Sequence, residues 1–342
     1  MKKIVLILYI VCIGFWVFNP KIEAKCVAIL SEINKPELVE ANNDELFIVE
    51  DAFVYVYSLK DYKFLRKFGK KGDGPSEFET NTYVHLRIQV SDNDVFLSTV
   101  YKCGLFNRDG ILQKEQKFPY FAYSVSPLGK NYVVTRPLTG KNNESLLGVT
   151  LVDPQLKEIA VLYQRKYFDY QKVSSFEILP DFIYSRIYNN KIFVFDNRGD
   201  FIIRIFDPQG KPAGKIALEY KKARITEEYK KKINGWMKQD PMFKGMPEVY
   251  WKMFVFPRYF PVVRNFVVEG NKIYVHTYNF QGEKDEFIIL DSNGKIVKRI
   301  YLRRLTISPL APLSYTFYKG NYIYLLENED TEKWELHFEK VF

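Results

Sequence analysis

Residues 67–78 read Lys-Phe-Gly-Lys-Lys-Gly-Asp-Gly-Pro-Ser-Glu-Phe, and this glycine-rich stretch separates two apolar strands. A glycine loop that binds a nucleotide phosphate opens a helix, whose N-terminus meets the phosphate. Because a strand follows here instead, we reject a phosphate site and interpret the stretch as a joint between two β-sheets. The residues that we expect to shape this joint are Phe68, Gly69, Gly72, Gly74, Pro75 and Phe78.

Six similar hairpins recur along the chain. Each has an apolar strand, a turn built on Asn, Asp or Gly, and a second strand in which large apolar residues alternate. The turns lie at residues 42–44, 91–94, 128–131, 189–191, 269–272 and 319–321. A third and a fourth strand follow most hairpins, and an Asp/Asn-x-x-Gly turn joins them, with glycine supplying a positive φ. Six units of four strands predict an all-β, six-bladed β-propeller of antiparallel blades.

The two ends of the chain are expected to share one blade. Residues 334–342 alternate like a strand, but the sixth unit is one strand short, and residues 26–30 can supply it. Pairing these ends would remove the open sheet edge that β architectures must protect. We therefore predict a ring closed by an N-terminal strand.

An insertion of about residues 219–261 separates the fourth and fifth units. Thr226 can cap a helix that runs to residue 239, and Pro241 ends it. One face of this helix is apolar, through Tyr229, Ile233, Trp236 and Met237. We expect this face to pack on the propeller rim; the alternative is a lid or a partner-binding element.

The pattern Phe-Gly-x-x-Gly-x-Gly-Pro-x-x-Phe after the first blade, here residues 68–78, resembles that of NHL-type six-bladed propellers, especially secreted bacterial ones. The insertion ending at residues 256–261 is also similar to those proteins. This resemblance implies a six-bladed propeller over residues 25–342. It implies little about activity, because the same fold carries unrelated functions.

The N-terminus is typical of a secretory signal peptide. Lys2 and Lys3 precede fifteen uncharged residues, 4–18, and a small residue stands at Ala24. Such a run is shorter than the ~20 residues of a membrane-spanning helix. We expect cleavage after residue 24, a mature domain of residues 25–342 without a transmembrane span, and a secreted or periplasmic location. Lys25 precedes Cys26 where a small residue is needed, which argues against lipid anchoring at Cys26.

Composition narrows the class of protein. Only Cys26 and Cys103 remain after removal of the signal peptide, so stability must come from an apolar core rather than from disulfides. Removing residues 1–24 lowers the net charge from +9 to +7, spread along the chain without a nucleic-acid-binding motif. We therefore expect no nucleic-acid partner. The expected protein is a monomer, and its expected partner is a glycan, a peptide or an envelope protein.

A metal site is not predicted. Related propeller enzymes, such as lactonases, hold a metal or polar cluster on the axis, but the three histidines, His85, His276 and His337, do not form a repeated ligand set. Neither a catalytic acid, a base nor a nucleophile can be named, and no cofactor is predicted. Calcium or zinc would be expected only if the protein were a hydrolase or lyase of the lactonase-like kind.

Basic and aromatic residues on the inner strands form the candidate ligand site. Guanidinium groups bind carboxylates in a bidentate manner and aromatic faces stack on sugars, so an axial funnel of both would suit a carboxylate or an acidic sugar. The candidates are Arg87, Arg186 and Arg264, with Tyr83, Tyr123, Tyr184, Tyr259 and His85. The alternative is that these arginines bond to neighbouring carbonyl groups and merely fill a narrow channel.

Three functions remain open at this stage. The first is a non-catalytic binding or scaffold propeller that recognises a glycan, peptide or protein on its loop face or axial funnel. The second is the metal-dependent hydrolase or lyase. The third is a structural component of the cell envelope, which an exposed aromatic face on the inserted helix would favour.

Overall fold

The computed structural model describes residues 25–81, 84–167, 175–240 and 243–342. Twenty-four strands form six antiparallel four-stranded sheets, which confirms the six-bladed propeller. The strands of the first three sheets are β2 (Leu38–Asn42), β3 (Glu45–Glu50), β4 (Phe53–Ser58), β5 (Phe64–Phe68); β6 (Arg87–Val90), β7 (Asp94–Ser98), β8 (Lys102–Asn107), β9 (Leu112–Lys117); and β10 (Ser124–Leu128), β11 (Asn131–Thr139), β12 (Ser145–Val152), β13 (Glu158–Lys166). Those of the last three are β15 (Ile183–Tyr188), β16 (Lys191–Asp196), β17 (Ile202–Phe206), β18 (Pro212–Ala217); β20 (Asn265–Glu269), β21 (Lys272–Gln281), β22 (Lys284–Asp291), β23 (Ile296–Arg303); and β24 (Tyr315–Tyr318), β25 (Asn321–Asn328), β26 (Lys333–Lys340), β1 (Lys25–Leu30).

The core is divided among the six interfaces between neighbouring sheets. Each interface has its own cluster of buried apolar side chains, because alternate residues of every strand point to opposite faces of its sheet. The first strand of each sheet is innermost, and β2 contacts β6 and β24, the innermost strands of the two adjacent sheets. This arrangement surrounds the axis with six short strands.

The N-terminal strand closes the ring, as predicted. β1 pairs antiparallel with β26, and Cys26 lies opposite His337 in the register. The sixth sheet therefore has the order β1-β26-β25-β24 and no missing strand.

The turns between the third and fourth strands follow the predicted chemistry. Gly110, Gly210 and Gly294 have φ values of 83°, 83° and 85°. In the turn after Asp291, its Oδ1 atom accepts hydrogen bonds from the backbone N–H groups two and four residues later, both at 2.9 Å. The third sheet keeps this anchor at Asp153 but places Leu156 at the positive φ, 64°. A side-chain anchor thus holds the turn even without glycine.

The structure places the glycine-rich joint between β5 and β6. Gly74 O accepts from Glu77 N at 3.1 Å, which makes a turn with Pro75 in its second position and Ser76 at a φ of 61°. Phe78 is fully buried beyond this turn, and its ring centre lies 6.2 Å from that of Phe106. The turn therefore delivers an aromatic side chain into the interface between the first two sheets.

The insertion contains a helix with the predicted bounds. α1 spans Glu227–Gln239, and Thr226 Oγ1 accepts from Tyr229 N at 3.2 Å; Pro241 lies outside the described residues. Ile233 and Met237 are buried in a seventh apolar cluster against the propeller. The rest of the insertion includes α2 (Glu248–Trp251) and β19 (Phe254–Val255), which pairs with β14 (Phe176–Glu177); a short 3₁₀ helix (Lys141–Asn143) lies in the third sheet. The apolar face thus packs on the rim, contrary to the condition set for an envelope component.

The second inner strand is shorter than the sequence indicated. The apolar pattern of residues 83–90 predicts a strand over this range, but β6 begins at Arg87, and Asn81 and Val84 exchange backbone hydrogen bonds of 3.0 and 3.2 Å just before it. The predicted signal peptide, residues 1–24, lies outside the described residues. In the described part of the chain, no helix is long and apolar enough to span a membrane.

Candidate functional site

A cavity of about 1000 Å³ runs along the propeller axis. All six innermost strands contribute to its wall, and the wall extends to the hairpin turns at Gly129 and Gly270. The cavity also enters the space between the second and third sheets, where Cys103 and Gln116 line it. Its walls are mixed in character, with carboxylate, guanidinium, amide and tyrosine side chains among apolar ones.

Arg87 is a side chain in this channel that is available to a ligand. It begins β6, is solvent-exposed and lines the channel. Within the described part of the chain, its guanidinium has neither a hydrogen bond nor an ion pair. Partial loss of solvent lowers the pKa of Arg87, and the nearby charge of Arg186 lowers it further. An arginine stays protonated in proteins, so Arg87 offers five unused N–H donors and a positive charge.

Arg186, in contrast, is held by the protein. Its Nε atom donates to Phe266 O at 3.0 Å, Nη1 donates to Ser185 O at 2.9 Å, and Nη2 donates to Asn265 Oδ1 at 2.8 Å. These bonds agree with the alternative given above, in which the arginines bond to neighbouring carbonyl groups. Arg186 therefore contributes charge to the channel but few free donors.

Glu40 supplies the opposing charge. It pairs with Phe47 in the first sheet as Arg186 pairs with Phe193 in the fourth, so the two side chains lie at the same level of the ring. Burial raises the pKa of Glu40 to about 7, although the charge of Arg186 and a 3.5 Å hydrogen bond from Thr316 Oγ1 act in the other direction. Near neutral pH this carboxyl group changes charge inside the channel.

Replacing Glu40 with glutamine should remove a pH dependence of stability. A carboxyl group whose pKa is raised on folding stabilises the fold below its unfolded value, near 4.5, and this contribution is lost as the pH rises through about 7. Channel water weakens the effect, so we expect E40Q to be more stable than wild type by about 1–2 kcal/mol at pH 8 and equal to it at pH 4.5. Urea unfolding at both pH values measures this difference. The exposed Glu329→Gln variant should follow the wild-type profile, and an E40Q profile parallel to wild type would contradict the expectation.

A continuous chain of hydrogen bonds leads from Arg186 away from the channel. Asn265 Nδ2 donates to Tyr315 Oη at 3.3 Å, and Tyr315 Oη lies 3.1 Å from His276 Nδ1. Burial lowers the pKa of His276 to about 4, so the ring is neutral, and burial raises the pKa of Tyr315, so the phenol is protonated. Tyr315 therefore donates to His276 Nδ1, and His276 Nε2 donates to Asp285 Oδ2 at 3.1 Å. Tyr315 Oη thus accepts one hydrogen bond and donates another, and both ring nitrogens of His276 have a partner.

The chain of hydrogen bonds that starts at Arg186 ends in a buried ionic cluster beneath α1. Asp285 Oδ2 accepts from Arg264 Nη1 at 3.1 Å, and Asp285 Oδ1 accepts from Arg304 Nε at 2.6 Å. Burial alone would raise the pKa of Asp285, but the bonds from His276 and the two arginines hold it below its usual range. A second cavity, of about 150 Å³, adjoins this cluster and the residues of α1 that face it. The three charged residues of the cluster line this second cavity and not the axial channel.

The predicted site residues thus occupy several different places. Arg87 and Arg186 line the channel, whereas Arg264 belongs to the ionic cluster beneath α1. Tyr184 Oη donates to Arg264 O at 2.5 Å, and Tyr123 Oη lies 2.7 Å from Tyr167 Oη. His85 Nδ1 lies 2.9 Å from Glu37 Oε2, just outside the inner strands.

Tyr259 is exposed on the insertion, away from the channel. Tyr83 lies outside the described residues. The funnel therefore gathers two of the three predicted arginines. Sequence reasoning missed Glu40, although Phe47 and Phe193 follow equivalent hairpin turns, so that their strand partners Glu40 and Arg186 lie at the same level.

Solved structures confirm the architecture. The chain is similar to a member of the DUF4221 family from Bacteroides vulgatus, with 11% identity, a TM-score of 0.53, and coverage of 93% of this chain and 98% of that one. Weaker similarities link it to the Pan2 WD40 domain from Neurospora crassa (9% identity, TM-score 0.46, 92% and 95% covered) and to BamB from Moraxella catarrhalis (10%, 0.38, 86% and 72%). At such identities the likeness concerns the fold. No protein-family model matches the sequence, and no curated protein sequence does.

Proposed function

We propose that this propeller is a secreted, non-catalytic binding protein that takes an acidic group of a glycan, peptide or protein segment into its axial channel. The observation that carries this proposal is the unpaired guanidinium of Arg87 in a channel of about 1000 Å³. A guanidinium binds a carboxylate in a bidentate manner, and Arg87 is exposed within the channel with its N–H donors unused. An accessible arginine without a partner is therefore suited to a ligand that brings a carboxylate.

The surroundings of Arg87 favour a short acidic chain. Arg186 adds a fixed positive charge, while Tyr188 and Tyr318 line the channel and can contact sugar or peptide atoms. Glu40 opposes an anion when ionised and ceases to do so when protonated. Affinity for an acidic ligand should consequently rise as the pH falls from 8 to 6.

The hydrolase alternative has less support. It requires metal ligands on the axis, and in the part of the chain described here the group of three side chains that could share a metal ion lies on the outer strands of the sixth sheet. The binding function is the one for which the channel offers a specific contact.

Titration of the protein with hexagalacturonate and with hexa-aspartate tests the proposal, with maltohexaose as a neutral probe. Arg87→Gln should reduce the affinity for the acidic probe about 10- to 100-fold, since a hydrogen bond to a charged group contributes about 1.5–3 kcal/mol. The variant should unfold at the wild-type temperature, because Arg87 makes no bond that folding requires.

Arg303→Gln is the matched control, because this arginine is exposed on β23 outside the channel. It should bind like wild type. Equal binding by R87Q, or equal binding of the neutral probe, would overturn the proposed site. Arg186 and Arg264 are unsuitable for this test, since both hold structural bonds.

A further inference from the structure

We propose that Cys26, Glu335 and His337 form a zinc site that ties the closing strand β1 to β26. One ligand atom from each of these side chains lies within 4.8 Å of those of the other two. The site is independent of the axial channel and of the function proposed for it.

Strand geometry brings the three side chains to one face. Glu335 and His337 are two residues apart on β26, so they project from the same side of the sheet. Cys26 is the register partner of His337, and directly opposed residues in an antiparallel pair also share a face. A bulge in the register between Cys26 and Ala28 marks this position on β1. The cluster therefore follows from the pairing that closes the ring.

Two of the three ligands are already held in place. Glu335 Oε1 accepts from Asn328 Nδ2 at 2.8 Å, and Glu335 Oε2 lies 2.9 Å from His337 Nε2. The His337 ring stacks on Tyr324 of β25 with a centre distance of 5.2 Å and an interplanar angle of 12°. Cys26 is exposed, which gives a metal ion access from solvent. Such support by surrounding side chains is usual around metal ligands.

The donor set indicates zinc. A thiolate, an imidazole nitrogen and a carboxylate are the ligands that Zn²⁺ takes in proteins, and water can complete a tetrahedral site. The thiolate also disfavours magnesium and calcium, which prefer oxygen ligands. Two anionic ligands neutralise the charge of the ion.

Binding requires two proton movements. The thiol proton of Cys26 leaves to solvent, and the imidazole proton now on His337 Nε2, directed at Glu335, moves to Nδ1 while Nε2 binds the metal. Nδ1 is buried and has no hydrogen-bonding partner in the described residues. Loss of such an outer bond typically costs 10- to 100-fold in affinity, so the site should bind more weakly than a zinc site with a complete outer shell.

Spectroscopic titration of the reduced protein, residues 25–342, with Co²⁺, followed by displacement with Zn²⁺, tests the site. The wild type should bind one equivalent, show a thiolate-to-metal charge-transfer band in the near ultraviolet, and unfold at a higher temperature with Zn²⁺. Cys26→Ser should lose the band and about 100-fold or more in affinity, since even outer-shell changes cost 10- to 100-fold. Cys103 remains in both proteins and so serves as an internal control.

Variants at the other two positions separate ligation from simple thiol binding. His337→Gln should keep its fold and lose the zinc-induced rise in unfolding temperature, while Glu329→Gln, an exposed carboxylate in the same hairpin, should retain that rise. A charge-transfer band that persists in Cys26→Ser, or no metal bound by wild type at neutral pH, would overturn the proposal. Neither outcome bears on ligand binding by Arg87.

Discussion

Replacing Asp285 with asparagine should lower the free energy of unfolding by about 3–5 kcal/mol, the usual cost of removing one partner from a buried ionic group. The Asp285 side chain is 6% exposed, and it is bound by Arg264 and Arg304, which are 10% and 18% exposed. Asparagine would leave both guanidinium charges without a counter-charge and would turn an NH₂ donor toward other donors. The stability falls because two buried positive charges have lost their counter-charge, and not merely because a contact is missing.

Guanidinium chloride unfolding measures this change as a fall in the midpoint. Asp291→Asn is the control at the end of the same strand: Asp291 is in a turn, and asparagine keeps the Oδ1 acceptor that Asn293 N and Lys295 N use. That variant should change the unfolding free energy by about 0.5 kcal/mol or less. A D285N protein as stable as the control would show that the two arginines are compensated by water instead.

Phe78→Ala should destabilise the protein by about 3–5 kcal/mol, the range for removing a fully buried phenylalanine. Phe78 joins the apolar cluster between the first and second sheets, and Lys102 Nζ lies 5.5 Å from its ring centre. The turn at Gly74 and Pro75 fixes the backbone on one side of this residue, so the chain cannot easily move inward to fill the cavity. The loss should therefore lie near the upper part of the range.

Two further variants distinguish packing from local disruption of the joint. Phe78→Leu keeps most of the volume and should cost less than about 1.5 kcal/mol. Phe64→Ala removes a ring that is 41% exposed on β5 and should also have a small effect. A comparable loss in F78L and F78A would indicate that the joint itself, not the filled volume, was damaged.

The fold could be predicted because its determinants are local and repeated. The turn residues at Asn189 and Asn190 adopt positive φ values of 47° and 55°, and alternating large side chains follow each such turn. Local sequence also predicted α1, because the spacing of its residues indicates the cap at Thr226 and the buried position of Ile233. Signals of this kind do not depend on distant parts of the chain.

The site could be predicted only in part, because it depends on which residues meet across the ring. Arg87, Arg186 and Arg264 look alike in sequence, yet one is unpaired, one bonds to carbonyl groups and one joins an ionic cluster. The difference is set by Asn265 and Asp285, which come from neighbouring strands and carry no motif. The significance of Glu40 likewise depends on facing Arg186, a relation that only ring closure creates.

Closure by β1 also sets an order for folding. Five of the six interfaces join sheets that are consecutive in sequence, so they can form progressively from either direction. The sixth interface, and with it the pairing of β1 with β26 inside the sixth sheet, needs segments roughly 300 residues apart, as the bond from Trp334 Nε1 to Asn34 O illustrates. Closing so long a loop costs about 5 kcal/mol of chain entropy. The contacts of this interface can offset that cost only after the loop has closed. The seam between β1 and β26 should therefore be the last to form and the first to exchange its amide hydrogens.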